Sequence, residues 1–409
     1  MPQFPMVRWA ALLWGFATFW PVGLNYTAFV ALVAAMLWQG DLRARFEQLR
    51  QQPNWWPSLL FLGWGGLFLL LGTRYAETAS NALHALRIVL MLRLVLALTA
   101  EEAVWAVRGF VLGLVVSLLL VGLHLLVGLP PSLVWDSIVR YGGNKSLANA
   151  VLMALAAVSG LLVAPWLTGR ARVAAIALSL GALGVLLTTL YSRTAWLIVL
   201  VAAAAGVLHQ LRAQRQRQLL ALAVAVALTL SIGLLTPGVK DRLVLGVDEI
   251  VSAHQGEAVG IGSSWGIRYR LYEKTLDMIH ERPLTGWGIG AWNDQWRQRV
   301  DATLAASNMP HNDFLWMGAQ AGVPGALLLL LMVAAGLPRA WQRHDLSGRL
   351  GVVALLTLLV ALATNSALRD ASIGLALWFV VLVWQRLSTE PSERWTQALA
   401  APRRAVTPR

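Results

Sequence analysis

The feature that most restricts the fold is a succession of apolar runs, each about twenty residues long, along nearly the whole chain. A helix of about 20 residues spans the hydrocarbon core of a bilayer, where only helices and closed barrels are stable. The runs are continuous rather than alternating, which excludes a barrel. Only 13% of the 409 residues are charged, whereas a soluble domain carries roughly 25%. The sequence therefore predicts an all-α polytopic membrane protein.

Twelve of these runs are predicted to cross the membrane, and the arginines between them indicate its two sides. Basic residues mark cytoplasmic loops, and here they fall in alternate connections and in the C-terminal tail. Both termini are therefore expected in the cytoplasm. The same bias accounts for the net charge of +13, so nucleic acid is not expected as a partner. The predicted spans are residues 7–22, 24–39, 57–73, 82–99, 104–128, 147–167, 172–190, 194–211, 219–236, 312–337, 350–364 and 371–386.

These spans divide the chain into four segments. Residues 1–236 carry the first nine spans, residues 237–311 form a long loop on the outer face, residues 312–386 carry the last three spans, and residues 387–409 form a cytoplasmic tail. A long loop inside a compact protein is usually functional or disordered, and helical patterning favours function here. Its stretch GIRYRLYEKTLDMIHERP predicts an amphipathic helix. The expected apolar face consists of Tyr269, Tyr272, Leu276 and Ile279.

Three glycines follow that helix in the stretch LTGWGIGAWN, at positions Gly286, Gly288 and Gly290. Their spacing is similar to that of a dinucleotide-binding turn, but no strand precedes them and no helix clearly follows, so a nucleotide site is not expected. We predict instead a tight turn over the membrane surface, with Trp287 and Trp292 at the interface.

Three arginines on the outer face are candidates for binding an anion. Arg193 lies in a connection of only a few residues between the seventh and eighth spans, which holds it at the membrane boundary. Arg268 and Arg270 begin the loop helix, where a helix N-terminus and a guanidinium together suit a phosphate. A lipid-linked pyrophosphate fits such a cluster without a metal, because guanidinium groups bind phosphate in bidentate fashion. The alternatives are an arginine that snorkels to the interface and a solvated helix face.

His311 is the candidate general base. It lies between Pro310 and Asn312 at the start of the tenth span, and a histidine titrates near neutral pH. It could take a proton from an incoming hydroxyl, or it could be a structural residue at the helix start. Asn312 or Asp313 is expected to cap that helix, and Asp313 also to orient the imidazole ring. Residues 322–325 (GVPG) are expected to kink the helix and make room for a lipid.

Other residues are weaker candidates for binding substrate, because they would add positive charge or amide groups to the site. Arg93 lies within the fourth span, where an arginine commonly faces a cavity, and could line a path for a lipid phosphate. Arg369 and Asp370 are expected to pair with each other. Acidic residues at metal-ligand spacing are absent from the outer-face sequence, so neither a metal nor another cofactor is expected. The candidates that precede the sixth span are Arg140, Asn144 and Lys145.

Three stretches resemble the O-antigen ligase and O-antigen polymerase superfamily, and the ligases in particular. They are SRTAW after the seventh span, RYRLYEKTLDMIHERPLTGWGIGAWN in the outer loop, and PHNDFLWMGAQAGVPG at the start of the tenth span. The resemblance implies a GT-C-like glycosyltransferase architecture in the bacterial inner membrane, with the active site facing the periplasm. It also implies that Arg193, Arg268 and His311 are catalytic, with Arg270 as the alternative to Arg268.

The resemblance further implies the substrates. The donor would be O-antigen carried on undecaprenyl pyrophosphate, the acceptor a sugar hydroxyl of lipid A-core, and membrane lipids the remaining partner. Transfer would proceed with inversion and would need neither metal nor ATP. The other candidates, expected to contact the substrates, are Arg270, Lys145, Asn144, Arg140, Asn312, Asp313 and Arg93.

Other functions remain open from the sequence. An O-antigen polymerase would use the same donor but extend another lipid-linked chain. A protein O-oligosaccharyltransferase would attach the glycan to a pilin serine, but such proteins usually carry a larger soluble domain. A lipid-linked oligosaccharide transporter would have titratable residues spread through the membrane midplane, whereas here they are concentrated at one face.

Overall fold

The structure is a computed structural model, and it describes residues 5–220, 223, 245, 247–249, 251–252, 254–255, 264–300 and 304–400. Within these residues the chain forms helices and no strand. We number the helices with defined bounds in chain order. They are α1 (Met6–Ala17), α2 (Val22–Gln39), α3 (Leu42–Arg50), α4 (Trp55–Leu71), α5 (Thr78–Leu96), α6 (Ala100–Val127), α7 (Asp136–Val139), α8 (Gly143–Val163), α9 (Gly169–Thr188), α10 (Arg193–Gln210), α11 (Ser264–Glu281), α12 (Trp292–Arg297), α13 (Asp313–Ala334), α14 (Leu337–Gln342), α15 (Leu346–Thr364), α16 (Ala371–Leu387) and α17 (Ser392–Ala400).

Eleven of the twelve predicted spans fall on helices of the structure, and the number of membrane crossings stays a prediction. In the described part of the chain, eight helices are long and apolar enough to cross a membrane, namely α2, α5, α6, α8, α9, α10, α13 and α15. α4 joins α3 at an angle of 93°, and α1 and α16 are shorter apolar helices. The predicted span at residues 219–236 lies almost entirely outside the described residues. The chain is an all-α polytopic membrane protein, as the apolar runs predicted.

The centre of the helix bundle consists of α8, α15 and α16. Every residue of α16 from Ile373 to Leu387 is buried, as are 78% of the apolar window of α15 and 72% of that of α8. By contrast, only 22% of the α9 window is buried. The starts of α8, α10, α13 and α16 and the end of α15 meet at one end of the bundle, which we call the cavity end.

The opposite end is closed by a buried ion pair. The Arg45 guanidinium donates two hydrogen bonds of 2.8 Å to the Glu102 carboxylate and one of 2.7 Å to Asp41. Glu102 belongs to the capping box that begins α6, in which the Thr99 side chain is its partner. The Arg45 side chain is only 5% exposed, so the network joins α3 to the start of α6 within the protein interior.

Candidate active site

The start of α13 holds His311 in an unusual backbone conformation. Its φ angle of 53° is the only positive φ among the non-glycine residues that the structure describes. Left-handed backbone costs a residue with a Cβ about 1–2 kcal/mol, so neighbouring contacts must stabilise it. The Tyr272 hydroxyl, a donor, lies 3.2 Å from the carbonyl oxygens of both His311 and Ala363. Tyr272 thereby joins the loop helix α11 to the start of α13 and the end of α15.

Asn312 caps α13, as the sequence predicted. Its Oδ1 accepts hydrogen bonds of 3.0 Å from the backbone N–H groups of Phe314 and Leu315. Its Nδ2 donates to the Ala363 carbonyl at 3.0 Å. Both the oxygen and the nitrogen of the Asn312 amide are therefore hydrogen-bonded to backbone. Asn312 does not line either of the two cavities described below.

Asp313 is almost completely buried and binds backbone. Its carboxylate accepts hydrogen bonds from the N–H groups of Leu368 and Arg369, at 2.8 and 3.2 Å. The prediction that Asp313 orients the His311 ring is therefore wrong, because its oxygens are used to fix residues 365–370. Its expected contact with substrate is also not supported by its position, since it lines neither cavity.

The His311 imidazole is partly buried beside two arginines. Burial, followed by the charges of Arg268 and Arg369, lowers the pKa of His311 below its usual range, and the Asp370 carboxylate opposes this shift. Burial disfavours the imidazolium form, and the guanidinium groups repel it. Both effects favour the neutral imidazole, which is the form in which a histidine can accept a proton.

The loop helix α11 is amphipathic, as predicted, and it directs Arg268 toward His311. Its most buried side chains are Leu271, Thr275 and Met278, and Leu276 is 53% exposed. The predicted placement of Leu276 on the apolar face is wrong, because the buried face is rotated toward residues 271, 275 and 278. Arg268 lies one turn before Tyr272 and so shares its side of the helix.

Arg270 points away from that side. Its guanidinium pairs with the Glu273 carboxylate at 3.0 Å, and it lines neither cavity. The geometry therefore distinguishes the two loop arginines, which the sequence did not. Arg268 has no acidic partner among the described residues.

Two adjoining cavities meet at Arg268. The larger has a volume of about 740 Å³, and among the described residues Arg193 and Arg268 are the charged ones that line it; the rest of the described wall is mainly aromatic and aliphatic. The Arg193 guanidinium lies 5.8 Å from the ring centre of Trp265 in this wall. The smaller, of about 220 Å³, is lined by both Arg268 and His311. The structure thus brings the three predicted catalytic residues to one place.

Of Arg140, Asn144 and Lys145, the three candidates that precede the sixth predicted span, only Asn144 lines one of the two cavities. Asn144 lines the smaller cavity, and its Nδ2 donates to the Asp370 carboxylate. Lys145 donates instead to the Thr18 carbonyl at the end of α1. Arg140 is held by Asp136 and by the Leu129 carbonyl. The expected contacts of Lys145 and Arg140 with substrate are not supported by these positions.

Arg93 lies at the wrong end of the bundle for the role predicted for it. It is in the last turn of α5, and it donates to the Trp55 carbonyl and to the Ser58 hydroxyl, at 3.2 and 2.7 Å. Its guanidinium also lies 3.9 Å from the centre of the Trp55 ring. Arg93 therefore fastens the end of α5 to the start of α4, and it does not line the cavities.

The connection between α15 and α16 forms much of the smaller cavity, and its side chains pair differently from the prediction. Arg369 does not pair with Asp370; its Nη2 lies 3.7 Å from the Glu77 carboxylate. Asp370 caps α16 by accepting hydrogen bonds from the N–H groups of Ser372 and Ile373. Both of these bonds use Oδ1, and Oδ2 accepts the hydrogen bond from Asn144.

The same connection contributes residues that sequence reasoning missed. Asn365 and Ser366 line the smaller cavity, and the Arg87 guanidinium binds the carbonyls of Leu368 and Arg369 from within α5. An arginine in a membrane helix is unfavourable without a polar partner, so Arg87 in the sequence indicated that polar groups lie beside α5. The polar sequence Thr-Asn-Ser between two apolar helices was another.

The predicted kink in α13 is present at Ala321 and Gly322, whose backbone angles are not helical. Its unpaired backbone groups are satisfied by other parts of the chain, as a membrane interior requires. The carbonyls of Ala319 and Gln320 accept the N–H groups of Trp287 and Gly288, both at 2.9 Å. The Ala321 carbonyl accepts from Trp64 Nε1 at 2.8 Å, and the Val323 N–H donates to Pro283 at 2.7 Å.

The glycine-rich turn of the loop packs closely against one side of the kink. A Cβ on Gly322 would collide with the backbone of Leu284, and a Cβ on Gly286 would collide with that of Gln320. A mainly apolar cavity of about 470 Å³ adjoins the kink and is lined by Ala321 and Gly325 together with residues of α4 and α5, so the expected room for a lipid stays a prediction. Trp292 is 2% exposed and donates to the Thr275 hydroxyl, so its predicted position at the membrane interface is wrong.

No group of three or more His, Asp or Glu side chains in the described part of the chain is arranged to hold a metal ion. The described residues form a polytopic helical membrane protein in which Arg193 and Arg268 line one cavity and Arg268 and His311 line the adjoining one. Residues 174–330 match the family model described as O-antigen ligase. This match confirms the resemblance to the O-antigen ligase superfamily, and Arg193, Arg268 and His311 all lie within the matched stretch. No curated protein matches the chain.

Proposed function

We propose that the chain is an O-antigen ligase, which transfers O-antigen from undecaprenyl pyrophosphate to a sugar hydroxyl of lipid A-core. The observation that carries this proposal is the arrangement around Arg268, which shares one cavity with Arg193 and the adjoining cavity with His311. The family match supports the same chemistry at the level of O-antigen ligases and polymerases.

The larger cavity would bind the donor's pyrophosphate. Arg193 and Arg268 have no acidic partner among the described residues, so their positive charge is free to bind an anion. Guanidinium groups form bidentate hydrogen bonds with phosphate oxygens. The aromatic and aliphatic wall, including Tyr191, Leu197 and Trp265, suits the first isoprene units of the lipid.

His311 would act as the general base for transfer. Its neutral imidazole takes the proton from the acceptor hydroxyl while the hydroxyl oxygen attacks the anomeric carbon of the donor. The bond from that carbon to the pyrophosphate oxygen breaks, and the leaving group departs with the electron pair. Arg193 and Arg268 stabilise the negative charge that develops on it. Attack opposite the leaving group inverts the anomeric configuration.

The arginine bias of alternate connections supports an orientation in which the cavity end faces the periplasm. In a Gram-negative inner membrane, this end would meet a lipid-linked glycan and lipid A-core in the same leaflet. The proposed localisation is therefore the inner membrane, with both termini in the cytoplasm.

Deletion of the gene followed by electrophoresis of lipopolysaccharide tests this function. Loss of a ligase leaves bare core and accumulates lipid-linked O-antigen of normal length. Loss of a polymerase leaves core that carries a single repeat unit, and this pattern would replace the ligase proposal with polymerisation. Complementation with His311→Asn should fail, whereas complementation with Arg297→Ala, an exposed change outside both cavities, should restore the wild-type pattern.

A further inference from the structure

The smaller cavity has the size of a site for a single sugar ring. Its volume of about 220 Å³ is below the roughly 300 Å³ at which pockets for drug-sized ligands begin. It shares Tyr141, Leu147 and Arg268 with the larger cavity, so a ligand could occupy both. An oligosaccharide would not fit inside it, but one pyranose with its chain directed outward would.

The wall of this cavity is rich in groups that bind sugar hydroxyls. It contains the amides of Asn144 and Asn365, the hydroxyl of Ser366 and the carboxylate of Asp370, together with apolar surface from Ile373. Amide and hydroxyl groups both donate and accept hydrogen bonds, and a carboxylate accepts them. A few such polar groups on an apolar wall are what fixes the orientation of a small ligand.

Ser366 is the residue that most directly indicates a ligand. It is 1% exposed, and its Oγ has no hydrogen-bond partner among the described residues. Leaving a buried hydroxyl unpaired is unfavourable, so each such group calls for an explanation. A serine can change its rotamer without moving the backbone, which would let Oγ bind a hydroxyl that enters the cavity. Its neighbour Asn365 is held in place by Thr194 and Thr364, at 3.3 and 3.2 Å.

We propose that the smaller cavity binds one pyranose ring, the sugar joined directly to the donor's pyrophosphate, and that Ser366 and Asn365 select it. This inference rests on the proposed function. The sugar next to the pyrophosphate must lie beside the residue that binds the phosphate, and Arg268 borders both cavities. A ring in the smaller cavity would also place its anomeric carbon between Arg268 and His311, where attack takes place.

The test measures binding by the purified protein and needs no turnover. The probes are farnesyl pyrophosphate and farnesyl pyrophosphate that carries one glucose, galactose or N-acetylglucosamine. We expect at least one sugar-bearing probe to bind the wild type about tenfold more tightly than the bare probe. Ser366→Val removes the hydroxyl and adds methyl groups to the cavity, so it should abolish this gain and leave the bare probe unaffected. Ser366→Ala should lose roughly threefold to tenfold, the effect of one hydrogen bond.

A matched control is Ser159→Val in α8. Ser159 is also buried and also lacks a partner for Oγ among the described residues, but it does not line the smaller cavity. It should keep the full sugar-dependent gain. The proposal is overturned if no sugar increases affinity, or if Ser366→Val and Ser366→Ala both keep the gain. Failure of the bare probe to bind the wild type would instead refute the proposed function, and Arg268→Ala should weaken the bare probe if that function holds.

Discussion

At the end of the bundle opposite the cavities, Arg45 is buried between two carboxylates, whereas at the cavity end Arg193 and Arg268 have no acidic partner among the described residues. Arg45 bonds to Glu102 and Asp41 at 2.7–2.8 Å. Arg193 is exposed in a cavity, and its contact is with the aromatic ring of Trp265. At one end the arginine joins two helices through carboxylates of the protein. At the other end the two arginines keep a positive charge that no carboxylate among the described residues neutralises.

The cavity end itself contains both kinds of basic residue. Arg140 and Lys145 are close in sequence to the smaller cavity, but each is bound to a carboxylate or a carbonyl of the protein. Arg268 lines both cavities. Three basic residues that the sequence places on the same face thus differ in their contacts, since of these three only Arg268 lines the cavities and lacks an acidic partner among the described residues.

The largest effect on the transfer rate is expected at His311, which is proposed to act as a base rather than to stabilise the fold. His311→Asn keeps a residue that tolerates positive φ and removes the base, so the transfer rate should fall about 10²–10⁴-fold with an unchanged melting temperature. Burial beside Arg268 lowers the pKa of His311, so the wild-type rate should fall only below the usual titration range of histidine. An in vitro transfer assay across pH measures both.

The fall in transfer rate at low pH should be absent from the pH profile of His311→Asn. If His311 instead acts as a cation that binds pyrophosphate, His311→Arg would retain activity and the rate would not fall at low pH. A monodisperse His311→Asn protein with a near wild-type rate would exclude both roles and leave the histidine as a structural residue.

The next largest effect on the transfer rate is expected at Arg193 and Arg268, which have no acidic partner among the described residues, in comparison with Arg270, which has one. Arg193→Ala or Arg268→Ala removes a contact that strengthens as charge develops on the leaving group, so each should cost about 10²–10³-fold in rate. Lysine should restore little, because a point charge does not reproduce a bidentate fork. Arg270→Ala is the matched control, since its guanidinium is paired with Glu273. Full activity of the Arg193→Lys, Arg268→Lys double variant would contradict the proposed role.

The smallest effect on transfer is expected at the opposite end, where the change should be in stability. Arg45→Ala leaves the Glu102 carboxylate buried without its partner, which should lower the free energy of unfolding by about 3–5 kcal/mol. The folded fraction should transfer at the wild-type rate. Thermal unfolding in detergent, with Arg43→Ala as an exposed control, measures the difference. An unchanged melting temperature would show that the ion pair is not structural.

Much of the fold was predictable because it depends on local sequence. The length of each apolar run sets a helix, and the Asn312 cap lies two and three residues from the amides that it binds. The family motifs located Arg193, Arg268 and His311 for the same reason, since each lies in a short recognisable stretch.

Several of the errors concern side chains whose partners are distant in sequence. Asp313 binds amides 55 and 56 residues later, and Lys145 binds a carbonyl 127 residues earlier. No local pattern indicates such partners. The error at Leu276 has another origin, because the spacing of apolar residues in α11 fits two adjacent faces, and only packing against α13 decides between them.

The kink in α13 has a consequence for protein engineering. Four backbone groups at the kink are hydrogen-bonded to other parts of the chain, two to the glycine-rich turn, one to Pro283 and one to Trp64. A loop transplanted from a relative would have to supply the same amides and carbonyl at the same depth, or leave polar backbone facing hydrocarbon. The exchangeable module is therefore not the loop alone but the loop together with the kinked helix and the indole of α4.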